Sequence, residues 1–214
     1  MGKLGVILGS GAAGLIPTHD DIVTVDRHGD PYVLPHAVDH EGNLRELAGA
    51  GCDRVLGIAS VGGLRPDLGP GTYVVPDDFI ALDIGPVTSL YTFEAHQVAR
   101  FDEKWRREVM DAFRSQAHVE DGGVYWQVAG PRIETAAEVR LIAQHAHVVG
   151  MTVASECIIA GELGLPYAAL CVVDNLANGV TTQALTAEDV RKGQEEHRPE
   201  LEAVLASALG TLVT

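Results

Sequence analysis

The chain predicts an α/β fold: a three-layer sandwich around a central mixed sheet, forming a single domain over residues 1–214. Three observations carry this reading. Apolar, strand-like runs alternate with helix-like segments through most of the chain, the order of an α/β fold. No internal repeat, low-complexity tract or long linker divides it, and its 214 residues are enough for one full core. The runs after Gly71 are short and interrupted by Pro76, which points to mixed or antiparallel pairing.

The elements follow in order. KLGVIL (3–8) and DIVTVD (21–26) read as buried strands. DHEGNLRELAGAG (39–51) reads as a helix with Leu44 and Leu47 on one face, stopped by its glycines. RVLGIAS (54–60) is a strand running into a Gly-Gly turn at 62–63, and TYVVPDDFIAL (72–82) is a strand broken by Pro76. A helix over 103–117, a strand over 123–130, a helix over 134–146 and a short strand over 148–152 come next. A helix over 155–164 leads to a buried strand at 166–174. Thr186 and Asp189 have the spacing of a capping box for the last helix, which Pro199 should kink or interrupt.

Composition narrows the function. A net charge of −15 argues against a general basic surface for nucleic acid or anionic membranes, so any bound anion needs a small local site. Hydrophobic residues make up 46% of the chain and its mean hydropathy is +0.11, as in a compact enzyme. Cys52, Cys157 and Cys171 lack C-x-x-C spacing and read as reduced, buried thiols of a cytoplasmic protein. No apolar run reaches the roughly 18 residues of a membrane span. The start does not read as a signal peptide, because GSGAAG breaks the apolar run after Lys3. The nine histidines are scattered, with His145 and His147 placed as surface residues, so no metal site is expected.

Gly9-Ser10-Gly11-Ala12-Ala13-Gly14 matches G-x-G-x-x-G after a strand, and a second strand ends in Asp26, as in a dinucleotide fingerprint. That fingerprint requires a crossover helix of roughly ten or more residues, whose N-terminus meets the pyrophosphate. Only GLIPTHD (14–20), with Pro17 in its middle, separates the loop from the next strand, so the helix does not fit. What survives is a glycine-flanked serine at a strand end. It is either a cradle for a single phosphate or a tight turn without a ligand.

Four further stretches bear on that choice: DRHGDPYVLPHAVDHEGNL (26–44), GIASVGGLRPDLGPGTYVVPDDFI (57–80), AGPRIETAAEV (129–139) and VVGMTVASECIIAGELGLPYAALCVVDN (148–175). Together with LGSG, the chain resembles the trimeric purine nucleoside phosphorylase and methylthioadenosine phosphorylase family. GPRIET followed by GMT some twenty residues later is the specific signal; RHG alone is not.

The resemblance implies a phosphate site at Ser10, Arg27, His28, Ser60 and Thr152. Hydroxyls, amides and one guanidinium suit an oxoanion. Taken singly, Arg27 could equally be a strand-end salt bridge and Thr152 a helix cap. The resemblance further implies Met151 at the ribose, although core packing is the commoner fate of Met. Val61, Gly62 and Ile133 match the wall of the base pocket; Ile133 stands where relatives place an aromatic.

Glu134 and Asn175 match the groups that act on the base. An Asn amide can donate to O6 and accept from a protonated N7, while a carboxylate accepts from N1–H. Adenine reverses these demands, and adenine-specific members of the family carry Asp at the positions of Asn175 and Ala177. A 6-oxopurine is therefore expected. The alternatives are a helix-end charge for Glu134 and a turn residue for Asn175. Ala187 matches a position where nucleoside-specific members place a His for the 5′-hydroxyl. With apolar Val190 on the same helix face, it favours a 5′-deoxy or 5′-methylthio sugar.

The expected reaction is reversible phosphorolysis of a purine nucleoside, with inorganic phosphate as co-substrate and no other cofactor. The family precedent implies a homotrimer or dimer of trimers. A purine nucleosidase and a non-catalytic nucleoside-binding homologue are the alternatives. The chain departs from the family in a brief connector over 12–26, a short segment over 83–101, and Ser155 where relatives have Pro. Phe93, His96 or Phe101 is expected to replace the family's sugar-covering residue.

Overall fold

In the computed structural model, which describes residues 2–16 and 18–213, two long strands organise everything else. These are β3 (Cys52–Gly63) and β9 (Tyr167–Leu176), paired in parallel from Val55↔Tyr167 onward. Strands buried on both faces need side chains that fit both layers, and these two run as nearly continuous Val, Leu, Ile and Ala. Alternation along each strand sends successive side chains to opposite faces. Leu56 and Ile58 of β3, with Leu170 and Val172 of β9, join one core; Val55 and Ala59, with Cys171 and Val173, join the other.

The first core is covered by α2 (Glu103–Arg114) and α5 (Ala187–Leu212), the second by α1 (His40–Gly49) and α4 (Val153–Glu162). This is the three-layer mixed-sheet sandwich read from the sequence. Leu44 and Leu47 of α1 are both fully buried. A smaller cluster seats α3 (Ala136–Ile142) through Val139 and Ile142.

The rest of the sheet is mixed. β1 (Lys3–Leu8) lies in parallel between β2 (Ile22–Asp26) and β3. β4 (Tyr73–Val75) runs antiparallel to β9 and parallel to β6 (Val119–Asp121). β5 (Asp78–Ile80) pairs with β7 (Val124–Gln127), which pairs with β8 (Val148–Gly150); β8 meets the end of β3 in antiparallel fashion.

Several sequence expectations change. Pro76 does not merely break one strand: the two halves, β4 and β5, join different neighbours. Gly62 and Gly63 are not a turn but the end of β3, still paired with β9 and β8. Strand β6 was not expected. Helix α5 continues through Pro199. A proline inside a helix costs about 3 kcal/mol. Beyond it, Leu201, Val204, Leu205, Ala208 and Leu209 are buried, each large side chain contributing about 1.5–3 kcal/mol, and this outweighs the cost. Phe101 is core, packed against Phe79 and Tyr167, and so cannot cover a sugar. Phe93 and His96 are exposed and stack on each other at 4.9 Å. The connector between β1 and β2 contains turns and no helix among its described residues, as its length required; Pro17 lies outside them.

Candidate active site

The parallel strands β1, β3 and β9 all end at one side of the sheet, where an α/β fold normally opens its ligand crevice. A cavity of about 320 Å³ lies there, lined by every residue the sequence assigns to the phosphate, the base and the ribose, but not by Phe93, His96 or Phe101. The turn after β1 supplies Ser10, the end of β2 leads to Arg27 and His28, and β3 supplies Ser60, Val61 and Gly62. The loop before α3 brings Ile133 and Glu134, and the turn before α4 brings Met151 and Thr152. β9 presents Asn175, and the start of α5 presents Ala187 and Val190.

Arg27 is almost wholly buried. Its Nε and Nη2 donate to the two oxygens of Glu156, and its Nη1 donates to the Ile58 carbonyl at 2.9 Å. A guanidinium has five N–H groups, so this leaves donors for a ligand while the ion pair fixes the plane. The salt-bridge and anion-site readings of Arg27 are thus compatible. Burial alone would push the Glu156 carboxyl up; the Arg27 charge and hydrogen bonds hold it below its ordinary value. Gly9 makes the arrangement possible: a Cβ there would lie 2.6 Å from Arg27 Nη1 and 2.9 Å from the Ile58 oxygen.

His28 Nδ1 is 2.8 Å from the Val33 carbonyl, and its ring stacks on Tyr32 at 4.4 Å. A carbonyl only accepts, so Nδ1 carries the proton. Burial lowers the His28 pKa, which leaves Nε2 as an acceptor in the neutral ring. Thr152 occupies the N-cap position of α4, yet its side chain makes no capping bond. The Tyr125 hydroxyl instead accepts from the amides of Thr152 and Val153, at 3.3 and 3.4 Å. The helix-cap reading of Thr152 is therefore set aside, and its hydroxyl is left for the cavity.

With this geometry in place, the sequence profile of the phosphorylase superfamily matches residues 10–210. The chain belongs to that superfamily. It is 38% identical to a probable 6-oxopurine nucleoside phosphorylase of Archaeoglobus fulgidus over 188 residues, covering 86% of this chain and 77% of the relative. It is 33% identical to a probable S-methyl-5′-thioinosine phosphorylase of Methanothermobacter thermautotrophicus, covering 84% of this chain and 64% of that relative, just under two thirds. Among solved structures, methylthioadenosine phosphorylase of Schistosoma mansoni in complex with adenine has a TM-score of 0.85 at 22% identity, covering 98% of this chain and 91% of that one. That likeness speaks for the shared fold.

At the other end of this phosphorylase-superfamily cavity, Glu134 is buried and burial pushes its carboxyl above the ordinary glutamate value. It precedes the α3 N-cap, Thr135, whose capping box is completed by Glu138; the helix-end charge is Glu138, not Glu134. Arg132 of GPRIET turns outward to pair with Glu138. Asn178 donates to the Glu134 carbonyl at 2.9 Å and accepts from the Leu185 amide, tying the loop before α3 to the segment before α5.

Asn175 is in a strand rather than a turn, and it sits where the β3–β9 register slips between Val61 and Gly62. Such an irregularity re-aims a side chain. One of its N–H groups goes to the Leu176 carbonyl at 3.0 Å, leaving one donor and the carbonyl. Ala177 is buried in the wall beside it. A Cβ on Gly130, which has a φ of 65°, would fall 2.5 Å from Met151 Sδ, so the thioether seats directly against the GPRIET turn.

Sequence reasoning missed Tyr32, Leu34 and Pro35 on one wall and Leu185 near Ala187 and Val190. It also missed what becomes of Ser60, whose hydroxyl donates to Asp174 while Gln194 Nε2 donates to it at 3.0 Å. Ser60 therefore lines the cavity with its hydrogen already committed. Among the described residues, no cluster of three His, Cys, Asp or Glu is arranged to hold a metal ion. No helix among them is long and apolar enough to cross a membrane. All three cysteines are free and buried.

Proposed function

We propose that the protein catalyses reversible phosphorolysis of a purine nucleoside, preferring a 6-oxopurine base and a 5′-methylthio or 5′-deoxy sugar. The observation that carries this reading is one cavity with anion donors at one end and a matched acceptor–donor pair at the other. Phosphate sits between Ser10, the free edge of Arg27, Thr152 and His28. With Nε2 an acceptor, neutral His28 pairs with a protonated phosphate oxygen rather than a bare one. Ser60 forms the floor of this end.

The base lies against Val61, Gly62 and Ile133, with Glu134 accepting from N1–H and Asn175 reaching O6 and N7. As the glycosidic bond stretches, the purine gains negative charge, which the Asn175 donor stabilises. The cationic sugar is met by the phosphate held beneath C1′, largely a positioning effect. Met151 packs on the ribose. Leu185, Ala187 and Val190 form an apolar wall that fits a methylthio group better than a hydroxyl. The relatives named S-methyl-5′-thioinosine and 6-oxopurine nucleoside phosphorylases support this choice of base and sugar.

Phosphate serves as co-substrate, and the chemistry needs no other cofactor. A homotrimer completes the reading: Tyr91 and Phe93 on the segment before α2 are more than four-fifths exposed, as residues that cover a neighbouring copy's sugar would be in an isolated chain. A cytoplasmic location fits the free thiols. The test is purine release from methylthioinosine, inosine and adenosine, with and without phosphate. Release confined to phosphate and to the two 6-oxopurine substrates is expected. Equal release from adenosine would overturn the base assignment.

A further inference from the structure

The anion end of the cavity is backed by a side chain that touches no ligand position. Gln194 of α5 donates through Nε2 to Ser10 Oγ and to Ser60 Oγ, both at 3.0 Å. An amide NH₂ has two hydrogens, so each serine receives one. The amide orientation follows from Asp174. Ser60 has a single hydrogen, and it goes to the buried Asp174 carboxyl. The group facing Ser60 from α5 must therefore be a donor, the NH₂ and not the carbonyl. Ser10, bound to the same NH₂, is held as an acceptor, so its own hydrogen is turned away from Gln194.

We infer that Gln194 is a positioning residue that presents the Ser10 hydroxyl hydrogen to the incoming phosphate. This rests on the phosphorolytic reading above. The helix is built to bring Gln194 there. Gly193 faces β9, and a Cβ on it would lie 2.3 Å from the Asp174 carbonyl oxygen, so only glycine lets α5 come this close. One turn on, Arg198 Nη2 donates to the Ala13 carbonyl at 2.8 Å, fastening the far side of the same loop. The Ser10 loop is thus held from α5 at two points, one of which sets a hydroxyl rotor. Without the Nε2 donor, Ser10 can turn its hydrogen to other acceptors, and phosphate loses a pre-aimed partner.

The test is steady-state kinetics of the full chain with separate titrations of phosphate and nucleoside. Gln194→Met keeps the length and removes the donor. It is expected to raise the phosphate KM about tenfold while the nucleoside KM stays within about twofold. Gln194→Glu keeps the shape and reverses the polarity, claiming the Ser10 hydrogen and placing a negative charge beside the anion. It is expected to raise the phosphate KM further, and it serves as an independent variant should Gln194→Met fail to fold. Because Gln194 acts through Ser10, Ser10→Ala combined with Gln194→Met should exceed Ser10→Ala alone by no more than about twofold. Phosphate-dependent turnover with an unchanged phosphate KM in both Gln194 variants, or with fully additive losses, overturns the inference and leaves the function standing. Phosphate-independent turnover of the unaltered protein overturns the function and the inference with it.

Discussion

In the proposed reading Asn175 and Glu134 decide which base binds, Asn175 through its remaining donor and carbonyl and Glu134 through its carboxylate. Asn175→Asp replaces a donor with an acceptor, so the inosine-to-adenosine ratio of kcat/KM should fall by at least about 10²-fold, within the roughly 10⁴-fold that matched polar sites can provide. An unchanged ratio would mean that the amide does not read the base. In that reading Glu134 accepts from N1–H most strongly when ionised, and burial pushes its carboxyl above the ordinary glutamate value. The kcat/KM for a 6-oxopurine nucleoside should therefore rise with pH through a value higher than that of an ordinary glutamate. Glu134→Gln should flatten that limb; a limb that persists belongs to another group. These two residues were legible in the chain through the resemblance that GPRIET and VDN carry, which implies an acid and an amide at the base. Their surroundings were not. The Ser60–Asp174–Gln194 set joins positions 114 and 134 residues apart, which no local pattern can signal.

At the level of elements, the first turn of α4 is tied down by a bond that a proline at position 155 could not make. Ser155, in its first turn, donates its amide to Gln127 Oε1 at 3.0 Å, while Gln127 Nε2 donates to Ser155 Oγ at 2.6 Å; both residues are buried. Ser155→Pro orphans both polar groups of Gln127, and chemical denaturation should report a loss of about 1–3 kcal/mol per unsatisfied group. A loss within error would show that Gln127 finds other partners. Strand and helix identities were readable where the pattern ran long: near-continuous apolar runs in β3 and β9 and a period-3.6 apolar face in α2. They failed where three-residue elements carry too little pattern, as in β6, and where glycines end a strand instead of turning it, as at Gly62 and Gly63. Pro199 misleads for a related reason: its cost is local, whereas the burial that overrides it comes from tertiary packing.

For the whole molecule, the buried Arg27–Glu156 pair joins the end of β2 to α4 beneath the cavity. Glu156 has a pKa lowered on folding, so its contribution is fully present above the ordinary carboxylate value of 4.5 and is lost as pH falls through its folded value. Thermal stability should drop as pH falls below 4.5, and this acid limb should weaken in Glu156→Gln. Arg27→Ala strands a buried carboxylate, at a cost of about 3–5 kcal/mol, so Arg27→Lys is the better probe of anion binding. The three-layer architecture was legible because strand-like and helix-like segments alternate along the chain; the split of β3 and β9 side chains between two cores emerges only in the fold.

In the proposed reaction phosphate, and not water, takes the sugar. Mass spectrometry of the sugar released from methylthioinosine in phosphate buffer separates the two. The 1-phosphate of the 5-methylthio sugar is expected in one-to-one yield with hypoxanthine; free 5-methylthioribose alongside hypoxanthine would show hydrolysis instead.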